Sequence, residues 1–452
     1  LSAAFEHHAQ CRPDVLLVDS ELGTLRYGDA VDRVNAIINA LEGLGLGPSS
    51  RFGVVARNRT ETLLLLLAAQ RGGAVIVPVN HRLSPSEMAW ILEDSGCEAL
   101  VAESMFASAL EPLLPDCVKP EGRIVMGGAL PGWRDFDGWV DAAAPLPAHT
   151  LRDDSPERPY LQMYTSGTTG RPKGVVRDNG GHAVALAKSM QTVYGARAGD
   201  VFWAASDIGW VVGHSYICYG PLVHGNTTVV FEGKPVGTPN AGAFWRVISD
   251  HKVKVLFTAP TAFRAIKRED PDGKLMQDYD LSHFRHLFLA GERTDSDTLH
   301  WAEEKIGVPV IDHWWQTETG WSIAANCIGL HAFPVKPGSP TKAVPGWDVQ
   351  ILDENVTPVK DGVIGAICIK LPLPPSSLPT LWNADDRFIE SYLTEFPGFY
   401  KTADAGYRDE DGYLYIMART DDIINVAGHR LSTGGMEEVL SKHPDVAECA
   451  VI

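Results

Sequence analysis

Segment 164–174, with the sequence YTSGTTGRPKG, concentrates the residue types that bind phosphate. Hydroxyl side chains alternate with glycines and are followed by two cations, Arg171 and Lys173. Backbone N–H groups, hydroxyls and cations in this order can all face one polyanion, which predicts a triphosphate-binding loop; a flexible polar turn is the alternative. The segment is not a Walker A loop, because Pro172 stands where that motif requires Gly and Gly174 where it requires Ser or Thr.

A second polar segment, residues 312–320 (DHWWQTETG), follows a strand-like run at 308–313. Open α/β sheets bind ligands at the carboxyl ends of their parallel strands, so we expect these polar side chains at such an edge. Glu318 supplies the carboxylate oxygens that Mg²⁺ prefers, and it is a candidate ligand for a Mg²⁺ that bridges ATP phosphates. For Trp314 and Trp315 the alternative is an ordinary place in the core.

A third cluster is acidic and lies toward the C-terminal end. Residues 400–406 (YKTADAG) contain Asp404, and residues 409–412 (DEDG) are typical of a solvated hairpin. The charge run 419–422 (RTDD) by itself indicates an exposed turn. A short polar segment between two domains is also suited to be a hinge, because hinges are a few residues that absorb large backbone changes.

The composition excludes several classes of protein. The chain has 452 residues and a net charge of −18, so nucleic acid and anionic membrane surfaces are poor partners. The longest apolar run, residues 63–69, falls far short of the ~20 residues of a membrane span. Seven scattered cysteines without a CxxC pair indicate a reducing compartment, and we predict a cytoplasmic location. Both ends interrupt the sequence pattern, which predicts a piece of a longer protein.

Runs of β-branched residues alternate with helical periods, which predicts an α/β fold with mainly parallel sheets. The predicted strands are 52–58, 74–80, 253–260, 284–290 and 308–313, and the predicted helices are 60–71, 85–95, 261–269 and 296–306. After about residue 333, closely spaced prolines and short strands at 348–353 and 363–370 predict a β-rich unit, with 371–379 as an extended surface loop. The predicted divisions are two α/β subdomains at 1–160 and 161–332, a β-rich subdomain at 333–419 and the beginning of a small C-terminal domain at 420–452.

The segment at 164–174 resembles the signature phosphate loop of the adenylate-forming superfamily, and the resemblance extends over essentially the whole chain. Residues 206–222 (SDIGWVVGHSYICYGPL), the pair 291–292 and residues 312–320 are similar to those of the short-chain acyl-CoA synthetases, most closely propionyl-CoA synthetase. The implied architecture is a large N-terminal domain of two α/β sheet subdomains and a β-rich subdomain, followed by a truncated small α+β lid domain.

The resemblance implies roles for individual residues. The nucleotide-binding residues would be Thr165, Ser166, Gly167, Thr168, Thr169, Gly170, Lys173, Gly291, Glu292, Asp312, His313, Trp314, Gln316, Thr317, Asp404, Arg419 and Arg430. The catalytic residues would be Thr165, Lys173, Thr317, Glu318 and Arg430, with Glu318 as the Mg²⁺ ligand. The acyl pocket would be formed by Val211, Val212, Ala290 and Trp315, and the hinge would be Asp421. In the family the residue matching Asp404 accepts hydrogen bonds from both ribose hydroxyls, and the one matching Arg430 reaches the α-phosphate.

The acyl pocket bears on the acid that the protein would take. Acetate-specific members of the family carry a bulkier Val where this chain has Ala290, which leaves room for an additional methylene. One methylene contributes only ~1–3 kcal/mol of discrimination. Propionate is therefore the preferred acid, with acetate or a hydroxylated short acid as alternatives.

The reaction implied by the resemblance is an AMP-forming ligation. A short-chain carboxylate and MgATP give an acyl-adenylate and pyrophosphate, and coenzyme A then gives the thioester and AMP. ATP, Mg²⁺ and coenzyme A are the implied cofactors. One alternative is the adenylation domain of a fusion enzyme acting on a hydroxylated acid such as 3-hydroxypropionate, and another is a catalytically silent nucleotide-binding module. Homo-oligomerisation or fusion to further catalytic domains is compatible with the sequence.

The chain departs from the family pattern in two places. No residue up to Ile452 matches the lysine of the family's lid, because Lys442 is too near the hinge, so we expect nucleotide and acid binding with poor adenylation. Residues 1–150, with VNHRLS at 79–84, resemble the medium-chain and aryl acyl-CoA ligases instead. The arginines that hold the phosphates of coenzyme A in short-chain members are not recognisable there, which leaves the CoA-binding residues unassigned.

Overall fold

The structure is a computed structural model that describes residues 2–20, 23–72, 74–145, 155–167, 170–420, 423–426 and 429–432, with the single positions 436 and 440. Its strands are β1 (Leu16–Ser20), β2 (Gly23–Arg26), β3 (Arg51–Val55), β4 (Val75–Pro78), β5 (Ala99–Glu103), β6 (Arg123–Met126), β7 (Arg134–Asp135), β8 (Pro159–Gly167), β9 (Gly170–Asp178), β10 (Val201–Ala204), β11 (Thr227–Val230), β12 (Val255–Thr258), β13 (His286–Leu289), β14 (Val310–Asp312), β15 (Ala324–Ala325), β16 (Lys342–Ala343), β17 (Val349–Leu352), β18 (Gly365–Lys370), β19 (Phe399–Arg408), β20 (Leu414–Arg419), β21 (Ile423–Val426) and β22 (His429–Ser432). Its helices are α1 (Ser2–Cys11), α2 (Tyr27–Gly43), α3 (Thr60–Gly72), α4 (Pro85–Ser95), α5 (Ser104–Leu110), α6 (Phe136–Asp141), α7 (Asn179–Thr192), α8 (Gly220–His224), α9 (Ala243–Asp250), α10 (Pro260–Glu269), α11 (Ser296–Ile306) and α12 (Asp385–Tyr392), with a π-helix at Gly213–Tyr219.

Two seven-stranded sheets form the larger part of the fold. The first has the order β7-β6-β5-β3-β4-β8-β9, and its neighbouring strands are parallel except for β8 and β9. The second has the order β14-β13-β12-β10-β11-β1-β2 and is parallel except for β1 and β2. Strand β4 is buried at all its positions, as expected where helices cover both faces of a parallel sheet. The predicted α/β class with two sheet units is confirmed.

The boundary predicted at residue 160 does not separate the two sheets. Strands β8 and β9 complete the first sheet, whereas β1 and β2, near the N-terminal end, extend the second. Alternating strands and helices indicate the class of fold. They do not indicate which sheet receives an edge strand, because that choice depends on pairings between distant residues, such as Val18 with Thr228. The division of the chain into four consecutive subdomains stays a prediction.

A separate antiparallel sheet, with the order β17-β18-β19-β20, lies within the region predicted to be β-rich. Residues 371–379 have no regular secondary structure, as predicted. They do not form a surface loop throughout, because Ser376 and Leu378 are buried. The Leu378 N–H donates to the Glu318 carbonyl oxygen at 2.9 Å, so this segment packs on one of the predicted site segments.

Local signals explain where elements begin and end. At the start of α4 the Ser84 hydroxyl accepts from the Glu87 N–H, and the Glu87 carboxylate accepts from the Ser84 N–H, which together form a capping box. The helix ends at Gly96, whose φ of 68° is the left-handed conformation that glycine favours. In the part of the chain that the structure describes, no helix combines the length and apolarity needed to cross a bilayer.

Candidate nucleotide and carboxylate site

Segments predicted to bind ligands meet at one edge of the second sheet. Ala290 directly follows β13, and residues 313–320 follow β14, so both leave the sheet at the carboxyl ends of adjacent parallel strands. The next strand, β12, ends at Thr258, whose carbonyl oxygen accepts a hydrogen bond from the Ala290 N–H at 3.2 Å. This is the edge at which open α/β sheets bind ligands.

The turn around Glu318 is held by Arg177 of β9. The Arg177 guanidinium donates to the carbonyl oxygens of Glu318 (2.8 Å), Ser376 (2.6 Å) and Thr317. Burial lowers the pKa of Arg177 to about 10, so the side chain stays protonated at neutral pH. Gly320 permits this close approach, because a Cβ there would lie 2.8 Å from the Arg177 Cζ. Its φ of +78° is a second reason for glycine at this position.

Glu318, Tyr392 and Lys173 form one connected group. The Tyr392 hydroxyl donates to Glu318 Oε1 at 2.8 Å, and Lys173 Nζ lies 3.2 Å from Tyr392 Oη. Burial lowers the pKa of Lys173. Among the described residues only Tyr392 donates a hydrogen bond to the Glu318 carboxylate, which leaves oxygen lone pairs open beside a cationic side chain. A hard cation that also touches phosphate oxygens, such as Mg²⁺, fits these groups.

Asp404 lies in a nearly closed polar cluster. Its Oδ2 accepts hydrogen bonds from Gln316 Nε2 at 2.6 Å and Trp314 Nε1 at 3.2 Å, and its Oδ1 accepts one from Arg419 at 3.3 Å. Burial raises the pKa of Asp404, and the charge of Arg419 opposes that rise. These donors fix the orientation of the carboxylate, which is a suitable acceptor for ribose hydroxyls.

A continuous path of contacts joins Asp404 to Glu318. Gln316, which donates to Asp404, accepts through Oε1 from the Tyr400 hydroxyl at 3.4 Å. The Tyr400 and Tyr392 rings are stacked, with ring centres 5.3 Å apart and planes inclined by 11°, and Tyr392 contacts Glu318. The structure therefore brings together the predicted ribose carboxylate, metal carboxylate and phosphate lysine.

The described part of the predicted phosphate loop lies at the end of β8 and the beginning of β9. In this antiparallel ladder Thr165 pairs with Lys173, and Gly167 pairs with Gly170. Three predicted site residues lie outside the described residues, namely Thr168, Thr169 and Asp421. The structure gives only the backbone of three further positions, Ser166, Arg171 and Arg430. The contacts of this loop with phosphate stay predictions.

The four predicted acyl-pocket residues contact one apolar core cluster. Ala290 is buried within the cluster, and Val211, Val212 and Trp315 are half-buried against it. The Trp315 ring lies nearly perpendicular to the ring of Tyr216, with ring centres 5.4 Å apart. Trp315 also directly precedes the polar cluster in sequence, so an apolar surface and the polar groups adjoin at this sheet edge.

Asp312 and His313 are buried at the end of β14. Asp312 Oδ2 accepts from the Thr294 N–H at 3.3 Å, and burial raises the pKa of Asp312 to about 7. His313 Nδ1 lies 2.7 Å from the Leu289 carbonyl oxygen, and Nε2 lies 3.1 Å from Tyr194 Oη. Burial lowers the pKa of His313 to about 4, so its ring is neutral at pH 7. Because protein atoms engage both ring nitrogens, a nucleotide contact by His313 would use its backbone.

Gly291 and Glu292 are exposed after β13. Gly291 has a φ of +105°, which glycine adopts readily. Glu292 Oε1 accepts from the Thr261 N–H at 2.9 Å and from the Arg264 guanidinium at 2.6 Å. Glu292 thus satisfies an N–H group in the first turn of α10, a structural task that requires no nucleotide.

Three residues of this site were not predicted from the sequence: Arg177, Tyr392 and Tyr400. Arg177 lies four residues after Lys173 on β9, and the alternation of side chains along a strand places both on one face. That spacing is the signal that could have identified it. Tyr392 comes from α12, far along the chain from Glu318, and no local pattern marks it. Tyr400, on β19, begins the acidic segment 400–406, but that segment assigns a role only to Asp404.

Comparisons with known proteins bear on the identity of this site. The family described as AMP-binding enzyme matches residues 5–374. Acyl-CoA synthetase short-chain family member 3, mitochondrial, from Mus musculus is 44% identical over 446 residues, which cover 95% of this chain and 65% of that protein. Propionate–CoA ligase from Escherichia coli (strain K12) is 40% identical over 451 residues, which cover 95% of this chain and 71% of that protein. The chain spans about two thirds of the length of these relatives.

Among solved structures, the crystal structure of the anthranilate CoA ligase AuaEII in complex with anthranoyl-AMP matches with a TM-score of 0.87 and 25% identity. The match covers 100% of this chain and 84% of that chain, which confirms the predicted fold class, a mixed α/β fold with a large N-terminal domain of sheets and a smaller C-terminal domain. Acyl-CoA synthetases of this family are AMP-forming acid–thiol ligases that use ATP, Mg²⁺ and coenzyme A. The chain belongs to the AMP-binding enzyme family of adenylate-forming enzymes, among its short-chain acyl-CoA synthetases, as the resemblance predicted.

Proposed function

We propose that the protein adenylates a short-chain carboxylate, preferentially propionate, with ATP and then transfers the acyl group to coenzyme A. The connected site in which Lys173, Glu318 and Asp404 are joined through Gln316 and two stacked tyrosines is the observation that carries the proposal. One cation and two carboxylates, joined by this path of contacts, suit the phosphates, the metal and the ribose of a nucleotide. The apolar surface at Trp315 suits a short acyl chain beside them.

In the first step a carboxylate oxygen of the acid attacks the α-phosphorus of ATP, and the bond to pyrophosphate breaks. Mg²⁺, held by Glu318, would supply charge neutralisation at the phosphate oxygens. Lys173 places a positive charge where pyrophosphate leaves, and Asp404 orients the nucleotide through its ribose. Alignment and charge lower this barrier, so no protein nucleophile is required. In the second step the thiol sulfur of coenzyme A attacks the acyl carbon, loses its proton and releases AMP.

The preference for propionate is supported by the size of the residue at position 290. Ala290 is buried at the end of β13, where its methyl group occupies less of the pocket than the branched side chain of Val would. A three-carbon acid has one methylene more than acetate to place in that space. The expected discrimination is modest, about 1–3 kcal/mol.

The exchange of [³²P]pyrophosphate into ATP tests the adenylation step. It should be measured with acetate, propionate, butyrate and 3-hydroxypropionate, on this chain and on a chain extended through the C-terminal region of its relatives. We expect acid-dependent exchange that is fastest with propionate and faster in the extended chain. Nucleotide binding without exchange by any acid, in either protein, would favour the silent binding module.

A thioester assay tests the second step. We expect acyl-CoA and AMP to form in equal amounts when free coenzyme A is added to the extended chain with propionate and ATP. Adenylate formation without transfer to free coenzyme A, but with transfer to a carrier-protein thiol, would instead favour the fusion-enzyme alternative. If transfer to the carrier protein were also fastest with 3-hydroxypropionate, the substrate would be the hydroxylated acid.

We further propose that the protein works in the cytoplasm. The cysteines in the described part of the chain, Cys11, Cys97, Cys117, Cys218, Cys327 and Cys368, are all free thiols, which supports a reducing compartment. Self-association and fusion to further catalytic domains stay predictions, to be tested by the mass of the protein in solution and by the length of the natural chain.

A further inference from the structure

Arg177 is a fully buried charged residue, which is rare in protein interiors. Its relative exposure is 0%, and its guanidinium donates to three backbone carbonyl oxygens, those of Thr317, Glu318 and Ser376. Burying a cation is costly unless its donors are satisfied, and here the partners are neutral carbonyls rather than a carboxylate. This arrangement fixes backbone positions, because each carbonyl belongs to a segment that has no helix or strand hydrogen bonds of its own.

The fixed backbone is that of the predicted metal ligand. The Glu318 carbonyl oxygen accepts from Arg177 at 2.8 Å and from the Leu378 N–H at 2.9 Å. Both hydrogen bonds hold the main chain of Glu318, whereas its carboxylate meets Tyr392. The main chain is therefore immobilised while the carboxylate oxygens stay available for a ligand.

The same strand carries the predicted phosphate lysine. Lys173 and Arg177 lie four residues apart on β9. Lys173 pairs with Thr165 of β8 and Arg177 pairs with Leu161, and the ladder between these two pairs has no bulge. Lys173 reaches Glu318 through Tyr392, and Arg177 reaches it through the main chain. Strand β9 therefore sets the position of the carboxylate relative to the lysine.

We propose that Arg177 is a positioning residue for Mg²⁺-dependent nucleotide binding, which acts by fixing the main chain of Glu318 relative to Lys173. The inference rests on the proposed function, because it takes Glu318 as the residue that holds Mg²⁺ beside the phosphates. The two terminal nitrogens of the guanidinium, held in one rigid plane, donate to the three carbonyls. Lysine at this position keeps the charge but not that geometry.

The test is the coupling between Mg²⁺ and ATP in binding. The Kd for ATP is measured by calorimetry with Mg²⁺ and with EDTA, and the ratio of the two values defines the coupling. In Arg177→Lys we expect the coupling to fall about 10-fold, as for residues that orient metal ligands, while the Kd in EDTA stays within about twofold. Arg158→Lys is the matched control, because Arg158, immediately before β8, is also buried and donates to backbone carbonyls, but of Gln70 and Pro159.

A second variant covers the case in which Arg177→Lys does not fold, as judged by circular dichroism. Gly320→Ala places a Cβ 2.8 Å from the Arg177 Cζ and 2.7 Å from the Ser376 Oγ, so it should displace the arginine and lower the coupling in the same way. Gly362→Ala is its control, because Gly362 has a similar φ of +80° with no atom near its Cβ position.

Wild-type coupling in a folded Arg177→Lys or Gly320→Ala variant would overturn the inference, as would an equal loss in the Arg158→Lys control. Unfolding of both site variants would overturn it as well, because the arginine would then serve the fold as a whole. Failure of the proposed function gives a different result: the wild-type protein itself would show no dependence of ATP binding on Mg²⁺.

Discussion

Asp404 is the carboxylate whose protonation most directly limits the proposed nucleotide contact. Ribose hydroxyls donate to a carboxylate anion, and burial raises the pKa of Asp404. A raised pKa means that the anion is lost at a higher pH than for an ordinary Asp. ATP affinity should therefore weaken as pH falls, beginning at a higher pH than for an ordinary Asp, and Asp404→Asn should remove this dependence. Titration with ATP and with 2′,3′-dideoxy-ATP measures it; a dideoxy nucleotide with the same pH profile as ATP would contradict the ribose role.

Lys173 should contribute chiefly to the adenylation rate. Lys173→Ala removes the positive charge beside Tyr392 and Glu318, so the departing pyrophosphate loses a stabilising partner. We expect the rate of pyrophosphate exchange to fall about 100-fold. Lys188→Ala, at an exposed position of α7, is the control and should leave the rate unchanged. An unchanged exchange rate in Lys173→Ala would count against the phosphate loop.

Ala290 should influence which acid is preferred. Ala290→Val adds two methyl groups at a buried position, which removes the space assigned to the terminal methyl group of propionate. We expect the ratio of kcat/KM for propionate to that for acetate to fall about 10-fold or more. Partial misfolding would lower the rates for both acids equally, so the ratio needs no separate control for folding. A ratio equal to that of the wild-type protein would place the acyl chain elsewhere.

Some residues of the site could be predicted from the sequence, and others could not. Lys173, Glu318 and Asp404 belong to motifs whose residue types indicate phosphate, metal or ribose binding. The structure brings the three residues together. Tyr392 owes its place in the site to a contact with a segment distant in sequence, and no pattern near it indicates that contact. For Arg177 the four-residue spacing from Lys173 indicates a shared strand face, but not the turn that Arg177 contacts.

At the scale of elements, β14 ends in a buried acid that should make stability depend on pH. The folded-state pKa of Asp312 is about 7 against an ordinary value of 3.8, so between these values the folded protein keeps a proton that the unfolded chain has lost. The free energy of unfolding should therefore decrease as pH rises from about 4 to about 7.

Asp312→Asn keeps an oxygen acceptor for the Thr294 N–H and removes the titration. The variant should gain stability relative to the wild-type protein as pH rises, approaching a difference on the order of 4 kcal/mol above pH 7. Urea denaturation at several pH values measures this difference. Parallel curves for the two proteins across that range would show that Asp312 titrates as an ordinary carboxyl.

Helices and strands of the regular sheets could be predicted from local signals, and irregular segments could not. The helix at Pro85–Ser95 and its capping box follow from Ser84 and Glu87 alone. The segment 371–379 has the composition of an exposed loop, yet Ser376 and Leu378 are buried against the turn that contains Glu318. One of its partners, Arg177, lies 199 residues earlier, and no local pattern can carry that information.

At the scale of the whole molecule, the two large sheets are interleaved along the chain. The edge strands β1 and β2 come from the N-terminal end but extend the second sheet, while β8 and β9 complete the first. Strand β9 of the first sheet contacts the turn that follows β14 of the second, through Arg177 directly and through Lys173 by way of Tyr392. The proposed site therefore combines residues of both sheets, which the alternation of elements along the chain does not reveal.

The most direct measurement is a crystal structure of the protein with the propyl ester of AMP, a stable analogue of propionyl-adenylate. We predict the phosphate against the turn between β8 and β9, the ribose hydroxyls on the Asp404 carboxylate, and the propyl group against Trp315 and Ala290. A structure in which that turn is empty and the purine is bound elsewhere would contradict the proposed function.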